Sequence, residues 1–389
     1  MDSVNSEHPA TAEPDPGTAT QANTVAVPNG RFEGDPLSAF RPPLALEQRP
    51  RFGISLPTSG PFSSPQTVLE VARHAARASY HDVWCNDFYD WPVEHIGRSP
   101  SGAVEAIRGQ DPNYFEGLTT LGVLGGQVPD IGLAVHAITM PVRDVRLMAK
   151  QVSTLQSFTG RVTIAPAIGV QGSYDLMGVP MSERGRRLDE ALEALATILG
   201  SEHPVGFHGR YTQFDNATLY PRPQDIGLWI TGDSEAALRR VVRFGTGWFS
   251  TIGRIGHFPA LLGQLGDMAT GAGRDVNEIE RATDVYVCVA DTDAEAQRLS
   301  EATLVSRYKS LEHGLELAAI GSPATVADRL RALVDLGFTY LELRFICWDA
   351  KSLVEMIDRI ATEVVPQVCG RPLTPRLRTA AGWSNPERS

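Results

Sequence analysis

Cysteine is scarce in this chain. Four occur in 389 residues, at positions 85, 288, 347 and 369, widely scattered and never in a CxxC or metal-ligating spacing. Nothing suggests a disulfide framework or a metal centre, and a reducing cytoplasm is the expected setting. Long apolar runs are missing too: none approaches the roughly 18 residues that a membrane span needs. The first residues lack the basic and apolar regions of a secretory leader. Basic charge is not in surplus. The formal net charge is -11 with both signs interspersed, which disfavours nucleic acid or an anionic membrane as the main partner. Several motifs are absent as well: GxSxG, a P-loop lysine, HExxH, and GxGxxG after a strand. No catalytic constellation stands out by motif alone.

What remains reads as an ordinary soluble globular protein with ragged ends. At 42% hydrophobic and 21% charged residues, the chain can build a sizeable core. Residues 1–48 are rich in Pro, Ala, Thr, Glu and Asn and poor in large apolar groups, so burial cannot offset their ordering entropy. They are expected to be a disordered tail, with "FRPPLALEQRP" able to cling to the body. Residues 369–389, rich in Arg, Pro and Gly, are expected to be a second tail. Between them, 49–368 alternate β-like and amphipathic helical runs. The strand candidates are "FGISLP" (52–57), "DVWCND" (82–87), "IGLAVHAI" (131–138), "VTIAPAIGV" (162–170), "GLWITG" (227–232), "GWFSTI" (247–252), "DVYVCVA" (284–290) and "YLELRFI" (340–346). Helical runs between them carry start and stop signals. "SPQTVLEVARHAARAS" offers a Ser cap followed by Pro, and "SPATVADRLRALVDLG" runs from a capping Ser to a terminal Gly. Eight strands, most followed by a helix, predict an α/β fold, a (β/α)8 TIM barrel, with a doubly wound open sheet as the rival.

In such a barrel, function sits at the C-terminal ends of the strands. The candidates there are Asn86 and Asp87 after strand two and Val135-His136 at the end of strand three. After strand four come Gln171, Ser173 and Tyr174. Further round are the Thr231-Gly232-Asp233-Ser234 turn, Tyr286 and Arg344. The turn has a direct physical reading: free N–H groups at a helix N-terminus, with Gly allowing close approach, suit a phosphate. Its plainer reading is a helix cap that binds nothing. His136 interrupts an apolar strand, as either a hydrogen-bonded core histidine or a site residue. Asp87 can orient a ligand or cap the next segment. Arg344 alternates with apolar residues; facing inward it is an anion clamp, facing outward it is solvated alongside Glu342. Phe88, Tyr89 and Trp91 would suit an apolar or aromatic substrate wall. The stretch from Trp91 to Gly117 exceeds normal βα loops at about 25 residues and could serve as a lid. One phosphate-like turn without a metal cluster fits a bound organic cofactor that carries the chemistry.

The segment "GLAVHAITMPVRDVRLMAKQVSTLQSFTGRVTIAPAIGV" resembles the core signature of the bacterial-luciferase-like flavin oxidoreductases. The matching residues are Pro141, Arg143, Ala149-Lys150-Gln151, Thr154-Leu155 and Gly160-Arg161. "MSERGRRLDEALEAL", "FHGRYTQFDNATLYPRPQ", "LWITGDSEAALRRVVRFGTGWF" and "GSPATVADRLRALVDLGFTYLELR" follow in the family's order. The resemblance spans roughly residues 50 to 368 and implies the same (β/α)8 barrel.

That resemblance implies a flavin or deazaflavin at the barrel mouth: coenzyme F420 in hydride-transferring members, or reduced FMN with oxygen in two-component monooxygenases served by a flavin reductase. It assigns Gly232, Asp233 and Ser234 to the cofactor's ribityl or phosphate part, with Ser173 and Tyr174 as further contacts. Asp87 would lie beside the ring, and Val135-His136 would stand where many members have a non-prolyl cis peptide. His136 and Asp87 are the catalytic candidates. Phe88, Tyr89, Trp91, Gln171, Tyr286 and Arg344 are the substrate candidates. The chain departs from the family pattern at Phe88, where a histidine is common after the acidic residue, and at Val170-Gln171-Gly172, where deazaflavin sugar dehydrogenases place a glutamate. The expected function is therefore an F420-dependent oxidoreductase of a small apolar or aromatic substrate. The alternatives are an FMNH2- and O2-dependent monooxygenase, a non-catalytic cofactor-binding barrel, and a cofactor-free barrel lyase or hydrolase. A homo-oligomer is expected from the family.

Overall fold

The computed structural model describes residues 35–41, 50–59, 62–87, 114–128, 131–201, 204–251 and 256–373. Its strands are β1 (Arg51–Ser55), β2 (Asp82–Cys85), β3 (Gly132–Thr139), β4 (Val162–Ala167), β5 (Val205–His208), β6 (Gln213–Ala217), β7 (Ile226–Thr231), β8 (Gly247–Ser250), β9 (Glu280–Val289), β10 (Ala319–Gly321) and β11 (Tyr340–Phe345). The helices used below are α1 (Pro65–Arg77), α2 (Gly117–Gln127), α3 (Val145–Thr159), α4 (Gln171–Leu176), α5 (Arg184–Gly200), α6 (Glu235–Phe244), α7 (Phe258–Gly271), α8 (Asp293–Tyr308), α9 (Leu311–Leu317) and α10 (Pro323–Leu336).

Eight strands pair in parallel in the order β1-β2-β3-β4-β7-β8-β9-β11, and β11 returns to β1, so the sheet closes on itself. This is the (β/α)8 barrel, and its eight strands are the eight expected from the sequence. The open-sheet rival is excluded because no barrel strand has a free edge. Two elements lie outside the expected set. The antiparallel hairpin β5-β6 stands apart, and short β10 joins β9 at Val287–Val289. No helix among the described residues is long and apolar enough to cross a membrane.

Helix boundaries follow their capping chemistry. Ser64 and Ser322 each accept an N–H from the first turn of α1 and α10, with Pro at the next position. Gly160 and Gly337 close α3 and α10 in the left-handed conformation. The sequence "PVRDVRL" begins later than its proline suggests: Pro141 lies in a 3-10 turn, and Asp144 caps α3.

Alternation along the strands separates two cores. Val83, Cys85, Leu133, Val135, Ile164, Leu228 and Ile230 face outward into the shell beneath the helices. Trp84, Ala134, Ala165, Trp229, Phe249, Ala282 and Tyr340 fill the barrel's interior. Gly53 makes room there: a Cβ would fall 2.1 Å from the Tyr340 hydroxyl, which accepts from Trp84 Nε1 at 2.8 Å. The N-terminal end of the barrel is sealed by buried ion pairs. Arg51 meets Glu280 at 2.6 Å and Arg161 meets Asp82 at 3.2 Å. Phe40 is buried and Arg41 pairs with Asp225 at that end, so part of "FRPPLALEQRP" does hold to the body. The rest of the two expected tails falls largely outside the described residues. With one end plugged, any ligand site is left to the other.

Candidate active site

At the C-terminal end, the layer above Trp84 and Phe249 is polar. His136 follows Ala134 on the inner face of β3, and its ring stacks on Phe249 with centroids 3.7 Å apart and planes at 23°. Trp84 meets the same ring edge-on at 6.3 Å. The peptide bond from His136 to Ala137 is cis. Nδ1 of His136 lies 3.4 Å from Glu342 Oε2 and 3.3 Å from Arg344 Nη2. Nε2 has no hydrogen-bond partner among the described residues.

Glu342 and Arg344 are two residues apart on β11 and therefore share a face. That face is the inner one. Arg344 is an inward residue, as one of its two readings had it, but it does not stand as an open anion clamp. Its Nε contacts Asp284 at 2.9 Å, its Nη2 contacts Glu342 at 3.2 Å, and its Nη1 reaches Asn86 Oδ1 at 3.5 Å. Burial alone would raise the Glu342 carboxyl, but Arg344 and His136 hold it below the ordinary glutamate value. Burial disfavours the Arg344 charge, yet Glu342 and Asp284 keep that guanidinium protonated above its ordinary value. Tyr286, two residues beyond Asp284, lies under the Arg307 guanidinium at 4.2 Å and edge-on to Tyr308.

Asp87 is fully buried and committed. Both its oxygens accept from Arg143 Nη2 at 2.8 Å, and Oδ1 also accepts the Gly117 amide at 3.3 Å. The same guanidinium reaches Glu116 at 2.9 Å. Burial pushes the Asp87 carboxyl above its usual value, with Arg143 opposing. The side chain thus ties the end of β2 to the turn before α3 and the start of α2. Val135 points into the shell, where a Cβ on Gly117 would meet its Cγ2 at 2.9 Å, so only its backbone is available to the mouth.

Across the mouth, the loop after β4 is pinned by the Tyr174 hydroxyl, which donates to Ile168 O at 2.5 Å. Burial raises that phenol to about 12, with Arg184 and Arg187 opposing. Gln171 is exposed and bonds Asp175 along α4 at 2.6 Å. Ser173 is fully buried, and its Oγ has no hydrogen-bond partner among the described residues. In the turn after β7, Gly232 adopts φ +126 and Ser234 caps α6 by accepting the Ala237 amide. Asp233 accepts from Ser250 at 2.5 Å, and Thr231 Oγ1 lies 3.5 Å from Ala165 O. Thr58, just past β1, holds another buried hydroxyl without a hydrogen-bond partner among the described residues. Phe88, Tyr89, Trp91 and most of the Trp91–Gly117 stretch lie outside the described residues.

The fold therefore gathers Asn86, His136, Thr231, Tyr286 and Arg344 at one end, with Ser173 and the Gly232–Ser234 turn on the β4–β7 side. The sequence reading had not singled out Glu342, Asp284, Phe249 or Thr58 as site residues. The acids were detectable as charges at inward spacing on strands β9 and β11. Phe249 and Thr58 gave no such signal.

A family model, luciferase-like monooxygenase, matches residues 50–316. The chain belongs to this family. It is an oxidoreductase of the luciferase-like type, as the motifs after β3 implied. An F420-dependent glucose-6-phosphate dehydrogenase of Nakamurella multipartita is 25% identical over 366 residues, covering 85% of this chain and 98% of that protein. An FMNH2-dependent dimethylsulfone monooxygenase of Pseudomonas fluorescens is 26% identical over 156 residues, covering 39% of this chain and 42% of that protein. An F420-dependent secondary alcohol dehydrogenase solved with an F420-acetone adduct superposes with a TM-score of 0.69 at 16% identity, covering 82% of this chain and 99% of that one. The structural likeness carries the fold.

Proposed function

We propose that this protein is an F420-dependent oxidoreductase that interconverts an alcohol and a carbonyl on a small, apolar or aromatic substrate. The observation that carries the reading is the His136 ring: stacked on Phe249, held through Nδ1, and with Nε2 unpartnered among the described residues. It offers a proton-transfer atom in a chain that has Phe88 where the family's histidine is common. The residues fit a flavin-type group. The Ser173 hydroxyl, without a hydrogen-bond partner among the described residues, is an available donor for its polar tail, and Gly232 at φ +126 lets the turn before α6 approach that tail closely. When bound, the deazaflavin supplies the hydride acceptor or donor. His136 Nε2 would take the hydroxyl proton of an alcohol or return one to a carbonyl. Two features favour an uncharged substrate. Arg344 is neutralised by Glu342 and Asp284, and the loops beyond β4 and β11 expose Ile168, Val170, Leu176, Met177 and Trp348.

The long match to an F420 enzyme supports this cofactor over FMN. The second reading, an FMNH2- and O2-dependent monooxygenase partnered by a flavin reductase, is favoured by the shorter match to a relative of that kind. Fluorescence titration with F420, FMN and FMNH2, combined with oxygen uptake, separates them. Tight F420 binding without oxygen uptake supports the first, and FMNH2-dependent oxygen uptake replaces it with the second. Cofactor binding without turnover over a broad alcohol and carbonyl panel would point to a non-catalytic barrel. We further propose one catalytic domain over 49–368 flanked by tails, a homo-oligomer checked by light scattering, and a reducing cytoplasmic setting in line with four unpaired cysteines.

A further inference from the structure

We infer that Glu342 is the positioning residue that fixes the His136 tautomer, holding the proton on Nδ1 so that Nε2 presents its lone pair to the barrel mouth. This rests on the proposed proton-transfer role of His136. Two groups compete for Nδ1: the Glu342 carboxylate as acceptor at 3.4 Å and the Arg344 Nη2 as donor at 3.3 Å. They demand opposite tautomers, because a neutral imidazole has one N–H and one bare nitrogen. Satisfaction of the buried charge decides between them. Glu342 is fully buried and has acceptor capacity for several donors. Arg344 already approaches both its oxygens, at 3.2 and 3.4 Å, and engages Asp284 through Nε at 2.9 Å. If Arg344 turned an N–H onto Nδ1, the fully buried carboxylate would lose a donor. If His136 donates instead, Glu342 gains a donor beyond Arg344 and Ser55, and Arg344 keeps its acids.

The consequence is directional. The ring is immobilised between Phe249 and Glu342, so the bare Nε2 is aimed by packing rather than by a rotamer search. When Nε2 takes a proton from a substrate hydroxyl, the positive charge forms beside a carboxylate already in place, and no ring flip is required. Glu342 comes from β11, the last barrel strand, and His136 from β3. The pair thus builds an acid/base device apart from the end of β2, where this chain has Phe88.

The test uses the full-length, cofactor-free protein labelled with 15N-histidine, with the His136 signals assigned by their loss in His136→Asn. At mildly alkaline pH, the wild-type protein should show the proton on Nδ1 and a bare Nε2. Glu342→Leu, which removes both acceptor oxygens, should move the proton toward Nε2. The same variant should lower kcat by on the order of 100-fold with KM nearly unchanged, the size of a lost general acid/base. A wild-type proton on Nε2, or an unchanged tautomer in Glu342→Leu, overturns the inference. The wild-type spectrum is decisive even if the variant does not fold. The expected tautomer together with normal turnover in His136→Asn would overturn the catalytic reading of His136 and leave Glu342's hold on the ring standing.

Discussion

Ser173→Ala should make the cofactor-free protein more stable and its cofactor weaker-bound. The Ser173 Oγ is buried and has no hydrogen-bond partner among the described residues. A desolvated hydroxyl in that state costs about 1–3 kcal/mol relative to a satisfied one. Deleting one oxygen removes that cost and leaves a void too small to matter much, so a net gain of about 1 kcal/mol is expected. For a domain of this size, that is about 2 °C in Tm. If the hydroxyl instead meets the cofactor's polar tail, the variant loses one hydrogen bond, worth about 1.5 kcal/mol when the partner is charged. Kd should then rise about tenfold. The two effects have opposite signs, which a general packing defect cannot produce. Thermal denaturation of the cofactor-free protein and fluorescence titration with F420 or FMN read them separately. A less stable variant, or one that binds both cofactors as tightly as wild type, would refute the reasoning.

Arg143→Gln should destabilise by about 3–5 kcal/mol, because it leaves Asp87 buried with only the Gly117 amide, whereas Asp87→Asn should be milder since Arg143 keeps Glu116; urea denaturation of both variants checks this. Asp87 holds its proton more tightly when folded, so its contribution to stability falls as pH rises from the ordinary aspartate value, about 4, through the raised folded value. That component of the pH slope should vanish in Asp87→Asn. Glu342 has the opposite sign. Its contribution is complete above the ordinary glutamate value and is lost as pH falls through the lower folded one, which denaturation below about pH 4 reads in wild type against Glu342→Gln. Phe249→Ala should cost about 3–5 kcal/mol by emptying the barrel interior and should also free the His136 ring, seen as loss of turnover beyond the loss of folded protein.

The barrel was legible because its strands are buried on both faces and read as apolar runs, while Ser, Pro and Gly punctuated the helices between them. β10 escaped because three residues carry no periodicity, and the β5-β6 hairpin because β5 has only four residues and β6 is largely exposed and rich in Gln, Asp and Asn. Site residues were legible where a polar group broke an apolar run, as His136 does in β3. Asp87 shows the limit. Its position at the end of β2 marked it as a site candidate, yet its carboxylate is taken by Arg143, 56 positions away. Sequence shows that an acid stands at a strand end; only the register of β2 against β3 and the path of the next turn show whether a cation already holds it.

Arg344 sharpens the point about charge. Read alone, an inward arginine in a barrel mouth suggests an anionic ligand. Read with its neighbours at spacing two, it does not. Glu342 on the same strand and Asp284 on β9, which pairs with β11, both occupy inner-face positions by simple alternation. Tyr340 and Ala282, known interior residues, sit two positions before each of them. Two carboxylates and one guanidinium at one level of a narrow barrel must find each other, since none can remain buried alone. The cation is therefore spent on the protein's own acids, and what is left facing the barrel mouth is the imidazole beside them. Ligand charge is better inferred from the sum over an inner layer than from its most conspicuous member.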